Sequence, residues 1–288
     1  MKKRIVYLFL LLFAQGIKAQ DANSLLWEIS GNGLKSPSWL FGTYHLITSS
    51  FIDSFPLILN KLDSSKLVAG EIIMDAEASG KVARAVIMKD STLPQLMSKS
   101  DYELTAAYLR EINGMNLALF DKMKPVVIST FIYSALLPKI NPGEAMDIYF
   151  QDLARKKSKK LIGLESIDDQ ISVLFEGVSL KRQADMLVKL VKEKDKGKEA
   201  TYKLNDCYRR QDLNCLASGL DTDTGFDASE MEHLLYQRNR NWMKILPGLL
   251  REQSCFIAVG AGHLPGDKGL LELLRKQGYT VTPLLLSH

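Results

Sequence analysis

Apolar and polar positions along the chain predict a short series of elements. Leu25–Ser30 and Ser38–Thr43 are β-like runs around Gly31-Asn32-Gly33, a hairpin signal. Two more apolar runs, Lys66–Glu71 and Lys160–Glu165, are near copies: each opens on lysine, continues as a buried strand and ends on glutamate. The last unit is a strand over 255–260, a glycine turn, a helix over 267–277, Gly278 and a strand over 279–285. That strand–helix–strand crossover, with glycine at the helix exit, predicts parallel pairing of its two strands. Residues 80–155 and 168–250 follow mostly the helical period. Asn141-Pro142-Gly143-Glu144 supplies a cap, a first-turn proline and a capping-box glutamate for the helix that follows. The expected fold class is α/β (α+β), a mixed central β-sheet with a large helical insertion.

Two helical segments refine this picture. Lys181–Lys203 is rich in lysine but carries Met186, Leu187, Leu190 and Val191 at helical spacing, so it reads as an amphipathic helix rather than a linker. A helix over 229–246 places Met231, Leu234, Leu235, Trp242, Ile245 and Leu246 on one stripe, with Arg238 inside it. A core-facing arginine needs a carboxylate or an anionic ligand; at the edge of the stripe it would snorkel to water instead. Periodicity leaves both open. Asn239, beside it, is placed to add a hydrogen bond.

The N-terminus predicts export. Lys2-Lys3-Arg4 precedes an apolar stretch from Ile5 to Phe13, and Ile17-Lys18-Ala19 offers a cleavage point after Ala19. The stretch is well short of the roughly 20 residues of a spanning helix, so residues 1–19 read as a secretory signal peptide and 20–288 as a single domain, periplasmic or secreted, with no membrane span after cleavage. No glycine-, proline- or serine-rich linker divides the 269 residues that remain. Export also changes the charge argument. Of 37 basic residues four lie in 1–19, leaving 33 against 33 acidic ones. The mature chain is near neutral and gives no support for nucleic-acid binding. In an oxidising compartment, Cys207 and Cys215, eight residues apart, are expected to form a disulfide, with Cys255 an unpaired core residue.

The candidate chemistry lies at predicted strand ends. Trp39-Leu40-Phe41-Gly42-Thr43-Tyr44-His45 and Phe256-Ile257-Ala258-Val259-Gly260-Ala261-Gly262-His263 share one design: an apolar run, a glycine, two residues, a histidine. Two of only four histidines occupy this position. Glu71 and Glu165 stand at the ends of the two similar strands, and in such sheets ligands bind outside the carboxyl ends. Four such groups can converge on one rim. The other histidines fit elsewhere: His233 lies off the apolar stripe on a surface, and His288 is terminal. No G-x-S-x-G elbow, H-E-x-x-H helix, P-loop or C-x-x-C pair is present, and the Gly260-Ala261-Gly262 start of a dinucleotide fingerprint meets Pro265 where its third glycine belongs. Imidazole and carboxylate remain, which suit a divalent metal activating water or metal-free acid–base hydrolysis.

These blocks carry a family resemblance. W-E-I-S-G (27–31), S-W-L-F-G-T-Y-H-L (38–46), the strand ending in Glu71, M-D-I-Y-F (146–150), G-L-E (163–165), R-N (238–239) and V-G-A-G-H-L-P-G-D-K-G-L-L-E-L-L-R-K-Q-G-Y-T-V (259–281) resemble the TraB/GumN family, which is related to the Tiki Wnt proteases. The match runs through the whole mature chain in order. The resemblance implies a fold shared with Tiki-type metalloproteases and, more distantly, with erythromycin-esterase-like hydrolases and haem-iron-acquisition lipoproteins. It implies a divalent metal such as manganese or cobalt, held by His45, His263 and Glu71, with Glu165 and Arg238 as supporting polar residues. The expected function is an exported metal-dependent hydrolase of a peptide or protein substrate. A metal-free esterase-type hydrolase and a non-catalytic haem- or metal-binding protein stand as alternatives.

Overall fold

The computed structural model describes residues 24–136, 144–223 and 225–286. Residues 1–19, expected to be a signal peptide, residues 141–143, expected to cap a helix, and His288 lie outside them. Six strands form one mixed sheet: β1 (Leu26–Gly31), β2 (Ser38–Thr43), β3 (Leu67–Gly70), β4 (Lys160–Gly163), β5 (Cys255–Gly260) and β6 (Tyr279–Leu284), in the order β4-β3-β5-β2-β1-β6. β1 and β2 make the expected antiparallel hairpin, register Leu26 to Phe41. Its turn needs positive φ at Gly31 (+75°), Asn32 (+47°) and Gly33 (+75°), which glycine and asparagine supply. β4, β3, β5 and β2 are parallel neighbours, so their carboxyl ends share one rim. The class is mixed α/β, as the periodicity indicated.

One pairing differs from expectation. β5 and β6 are joined by the helix Leu270–Lys276, yet they do not pair: β2 and β1 lie between them, and β6 pairs antiparallel with β1 at the sheet edge. A crossover sets the direction of its second strand but not how many strands it skips. Pro283 in β6 agrees with an edge position, since proline has no N–H to offer a second neighbour.

The sheet is built from buried runs. Every residue of β2 and β3 is buried, as parallel strands covered on both faces require. The helix Met146–Lys156 presents Met146, Phe150 and Ala154 at i, i+4 and i+8 to this core. Phe150 meets Phe41 edge-on at 5.5 Å and Phe256 at 5.1 Å, and burying such a ring contributes about 1.5–3 kcal/mol. A second apolar cluster, including Leu109, Ile128, Ile132, Leu187 and Val191, forms among the helices away from the sheet.

Two long helices are broken. The segment 181–203 is two helices, Leu180–Lys192 and Lys194–Arg209, meeting at Glu193. The segment 229–246 runs as Ala228–Met231, a π-helical turn Glu232–Tyr236 and Gln237–Trp242, then stops. Ile245 falls in the turn beyond and is 41% exposed, so it leaves the apolar stripe where the reading placed it. The disulfide Cys207–Cys215 is present, and Cys255 is free and buried at the start of β5.

Candidate functional site

The strand ends set the positions first. Beyond β3 and β4 the pairing continues, with Leu164 N–H donating to Gly70 O and Glu165 N–H to Glu71 O, both at 2.9 Å. The two glutamates therefore emerge side by side. The helix Met146–Lys156 fixes the segment after Glu71: Gln151 accepts from Met74 N–H at 2.9 Å and donates to Ile72 O at 3.2 Å. At the end of β2, Gly42 lies so close to Ala261 that an added Cβ would come within 3.0 Å of its backbone. A Cβ on Gly260 would meet Glu71 Oε1 at 3.3 Å. Both glycines of the repeated design thus serve close approach between the two histidine loops and Glu71.

Arg238 joins the set. Its guanidinium is buried and every N–H is used: Nη2 donates to Glu71 Oε2 at 2.5 Å and Glu165 Oε1 at 2.6 Å. Nε donates to Glu165 Oε2 at 3.0 Å, and Nη1 to Leu234 O and His263 Nε2, both at 3.1 Å. The arginine is paired, with both candidate glutamates rather than one. Gln170 Nε2 bridges the same carboxylates at 3.1 and 3.2 Å, Trp242 Nε1 donates to Glu165 Oε2 at 3.1 Å, and Gly260 N–H to Glu71 Oε1 at 2.7 Å. The Trp242 indole lies beneath both Arg238 and His263, 4.9 and 4.4 Å away.

His263 has a defined tautomer. Asn239 Nδ2 donates to the backbone carbonyls of His263 (3.1 Å) and Lys268 (3.0 Å), so its Oδ1 must accept from His263 Nδ1–H at 2.7 Å. The lone pair is then on Nε2, 3.8 Å from Glu71 Oε1. Burial drives the His263 pKa down to about 3, so the ring is neutral. Burial pushes the Glu71 carboxyl up, but the Arg238 guanidinium and the Gly260 N–H outweigh it and hold it below the usual carboxylate range.

His45 stands apart from this cluster. Its side chain is 73% exposed, and Nδ1 lies 3.0 Å from Asp147 Oδ2. Thr43 Oγ1 donates to Asp147 Oδ1 at 2.8 Å, while Ser49 N–H donates to Glu144 O at 2.9 Å, docking the His45 loop on the helix that carries Asp147. The Asp147 carboxylate beside the ring raises the His45 pKa to about 9. His45, Glu71, Asp147 and Gln170 all line one cavity of about 180 Å³ at the rim. Beneath the loop, Tyr208 Oη donates to Gly42 O at 2.7 Å and the Tyr208 ring stacks on Tyr44 at 5.2 Å.

The rim therefore brings Glu71, Glu165, His263 and Arg238 into direct contact, and His45 into the same cavity as Glu71. Asp147 and Gln170 were not singled out from the sequence. Asp147 lies inside the M-D-I-Y-F block, but an acidic residue in a first helical turn is commonplace. Gln170 carries no spacing signal.

The chain is similar to known proteins over most of its length. The metalloprotease TIKI2 of Danio rerio is 21% identical over 92% of this chain and 62% of its own length. A metalloprotease TIKI homologue of Amphimedon queenslandica is 22% identical with the same two coverages, and an uncharacterised protein of Treponema pallidum is 22% identical over 88% of this chain and 80% of its own length. The chain thus spans about three fifths of the length of the two metalloproteases it is similar to. No solved structure matches it. The sequence profile described as the TraB/PrgY/gumN family matches residues 25–283, from the first strand of the sheet into its last, and the chain belongs to that family.

Proposed function

We propose that this protein is an exported hydrolase of peptide bonds in a peptide or protein substrate, dependent on a divalent cation. The carrying observation is the pairing at the rim of an ionised carboxylate, Glu71, with a neutral imidazole, His263, whose lone pair lies on Nε2. The relatives named metalloproteases support the peptidase reading, and the Cys207–Cys215 disulfide suits an oxidising compartment.

The donor chemistry fits a cation. His263 gives its other nitrogen to Asn239, as metal-bound histidines generally do. Glu71 is ionised and His45 faces the same cavity, so His45, Glu71 and His263 would hold the ion. As these side chains stand, no group of three or more His, Cys, Asp or Glu among the described residues is arranged to hold a metal ion. An ion at His263 Nε2 would compete with Arg238 Nη1 for the lone pair. Bound there, manganese, cobalt or another divalent ion would acidify water and polarise the scissile carbonyl. The protein's own groups do the rest. Arg238 balances the charge of the two glutamates and keeps Glu71 ionised. Asp147 holds the His45 ring by Nδ1, leaving Nε2 as the nitrogen that would face the ion.

The contact of Arg238 with His263 favours a second reading, metal-free hydrolysis with His45 as base, because the guanidinium already supplies the positive charge. Metal analysis of protein from its native compartment, followed by peptide hydrolysis with and without chelator, tests both. Bound metal with chelator-sensitive hydrolysis supports the proposal. An active metal-free protein supports the second reading, and a metal- or haem-loaded protein without turnover makes the chain a binding protein.

A further inference from the structure

A second, larger cavity of about 330 Å³ lies among the helices, and its walls belong to the elements that carry the site. Leu234 lines it, and the Leu234 carbonyl accepts from Arg238. Val173 lines it one turn beyond Gln170, the residue that bridges Glu71 and Glu165. Tyr133 lines it too. The two π-helical turns, Ser172–Glu176 and Glu232–Tyr236, pack on each other at this wall. Such wide turns often mark functional sites.

The chemistry of the lining selects an occupant. Leu174, Phe175, Met186, Leu190 and Phe226 give an apolar, partly aromatic surface. Two of its polar members are engaged: Gln183 Nε2 donates to Val178 O at 2.7 Å, and Glu230 accepts from Arg182 Nε at 3.1 Å. Glu230 lies a further helical turn from the site than Leu234, so the apolar walls end at an ion pair. A long acyl chain would run into that charge, whereas one amino-acid side chain stops before it. The volume is at the lower end of the about 300–1,000 Å³ of small-molecule sites.

We infer that this cavity is a subsite for one large apolar side chain, aromatic or long aliphatic, of a peptide lying across the His45–Glu71 cavity. The peptide nature of the occupant rests on the proposed hydrolase reading, but side-chain capture can be measured without turnover. The probe is acetyl-glycyl-(p-benzoylphenylalanyl)-glycinamide, photo-crosslinked to the mature protein and mapped by peptide mass spectrometry. Labelling is expected at Met186, Leu174 or Leu190, suppressed by acetyl-Gly-Phe-Gly-amide and unaffected by acetyl-Gly-Glu-Gly-amide. Ser129→Phe, which fills the cavity, should lower it about tenfold or more, the equivalent of one large apolar group. Should that variant fail to fold, Leu174→Asp carries the test: its side chain is 39% exposed, so the fold bears the charge while apolar labelling falls. Labelling outside the cavity, equal competition by the glutamyl peptide, or competition by decanoate but not by the phenylalanyl peptide overturns the inference. Labelling in the cavity without any hydrolysis leaves the subsite standing and removes the hydrolase reading instead.

Discussion

Asn239 Oδ1 lies 2.7 Å from His263 Nδ1, and this contact fixes which nitrogen of the imidazole is free. Both residues are buried, and the Asn239 amide is spent on two backbone carbonyls of the same loop. Asn239→Ala should therefore leave an N–H and two carbonyls without partners, at about 1–3 kcal/mol for each group left unsatisfied. If His263 holds an ion, affinity should fall about 10–100-fold as well. Denaturant unfolding reads the first effect and metal titration the second. A wild-type His263 tautomer in the variant, seen in ring-nitrogen chemical shifts, would contradict the assignment.

Arg238→Ala removes the partner of two buried carboxylates and should cost about 3–5 kcal/mol. Arg238→Lys should also be impaired, because an ammonium cannot reproduce the forked contact with Glu165. Arg240, on the exposed side of the same helix and paired with Glu232, is the control, and Arg240→Ala should cost less than about 1 kcal/mol. Equal small losses for Arg238→Ala and Arg240→Ala would remove Arg238 from the site.

The two histidines should respond differently to truncation. Both stand at strand ends on one rim, where truncating an exposed side chain leaves no large cavity in the core. His45 is exposed, so His45→Ala should cost only its contact with Asp147, less than about 1 kcal/mol, while losing metal and hydrolysis. His263 is buried against Trp242 and hydrogen-bonded at both nitrogens, so His263→Ala should lose about 1–3 kcal/mol besides. Full metal occupancy in either variant would exclude that histidine as a ligand.

Acid and base should act on different groups. His45 is raised from 6.5 to about 9, so the stability it contributes is complete below pH 6.5 and is lost as pH rises through 9. Asp147→Asn should abolish that alkaline decline and move any His45-dependent limb of the pH–rate profile to lower pH. His263 is depressed to about 3, and Glu71 is held below the usual carboxylate range. Their contributions are complete above 6.5 and 4.5 respectively and are lost as pH falls through the lower values. Unfolding free energies across this range, with proton titration of the imidazoles, check both arms.

What could be read in advance follows from what is local. The strand-end positions of Glu71, Glu165, His45 and His263 follow from runs a few residues long, and the parallel strands then bring their ends to one rim. Arg238 was conspicuous as a charge within an apolar stripe, although periodicity could not say whether it was paired. The placement of β6 two strands away from β5 was hidden, because the connecting helix has the same pattern however many strands it crosses. Asp147 and Gln170 were hidden for another reason. Each is an ordinary helical residue until the His45 loop or the two carboxylates are brought against it.

The disulfide has a consequence for both loops together. Cys207 precedes Tyr208, which holds Gly42 and Tyr44 at the base of the His45 loop. Cys215 begins the helix Leu213–Asp223, whose Leu220 lies so close to Gly262, next to His263, that a Cβ there would come within 2.8 Å of it. One covalent clasp thus joins the supports of two loops that are far apart in the chain. Reduction should loosen both histidines in step, which hydrogen exchange at Gly42–His45 and Gly260–His263 with and without reductant would measure; unchanged exchange at either loop would uncouple them. With the disulfide open, both histidine loops would lose their shared support at once, so a single bond sets the order of the whole rim.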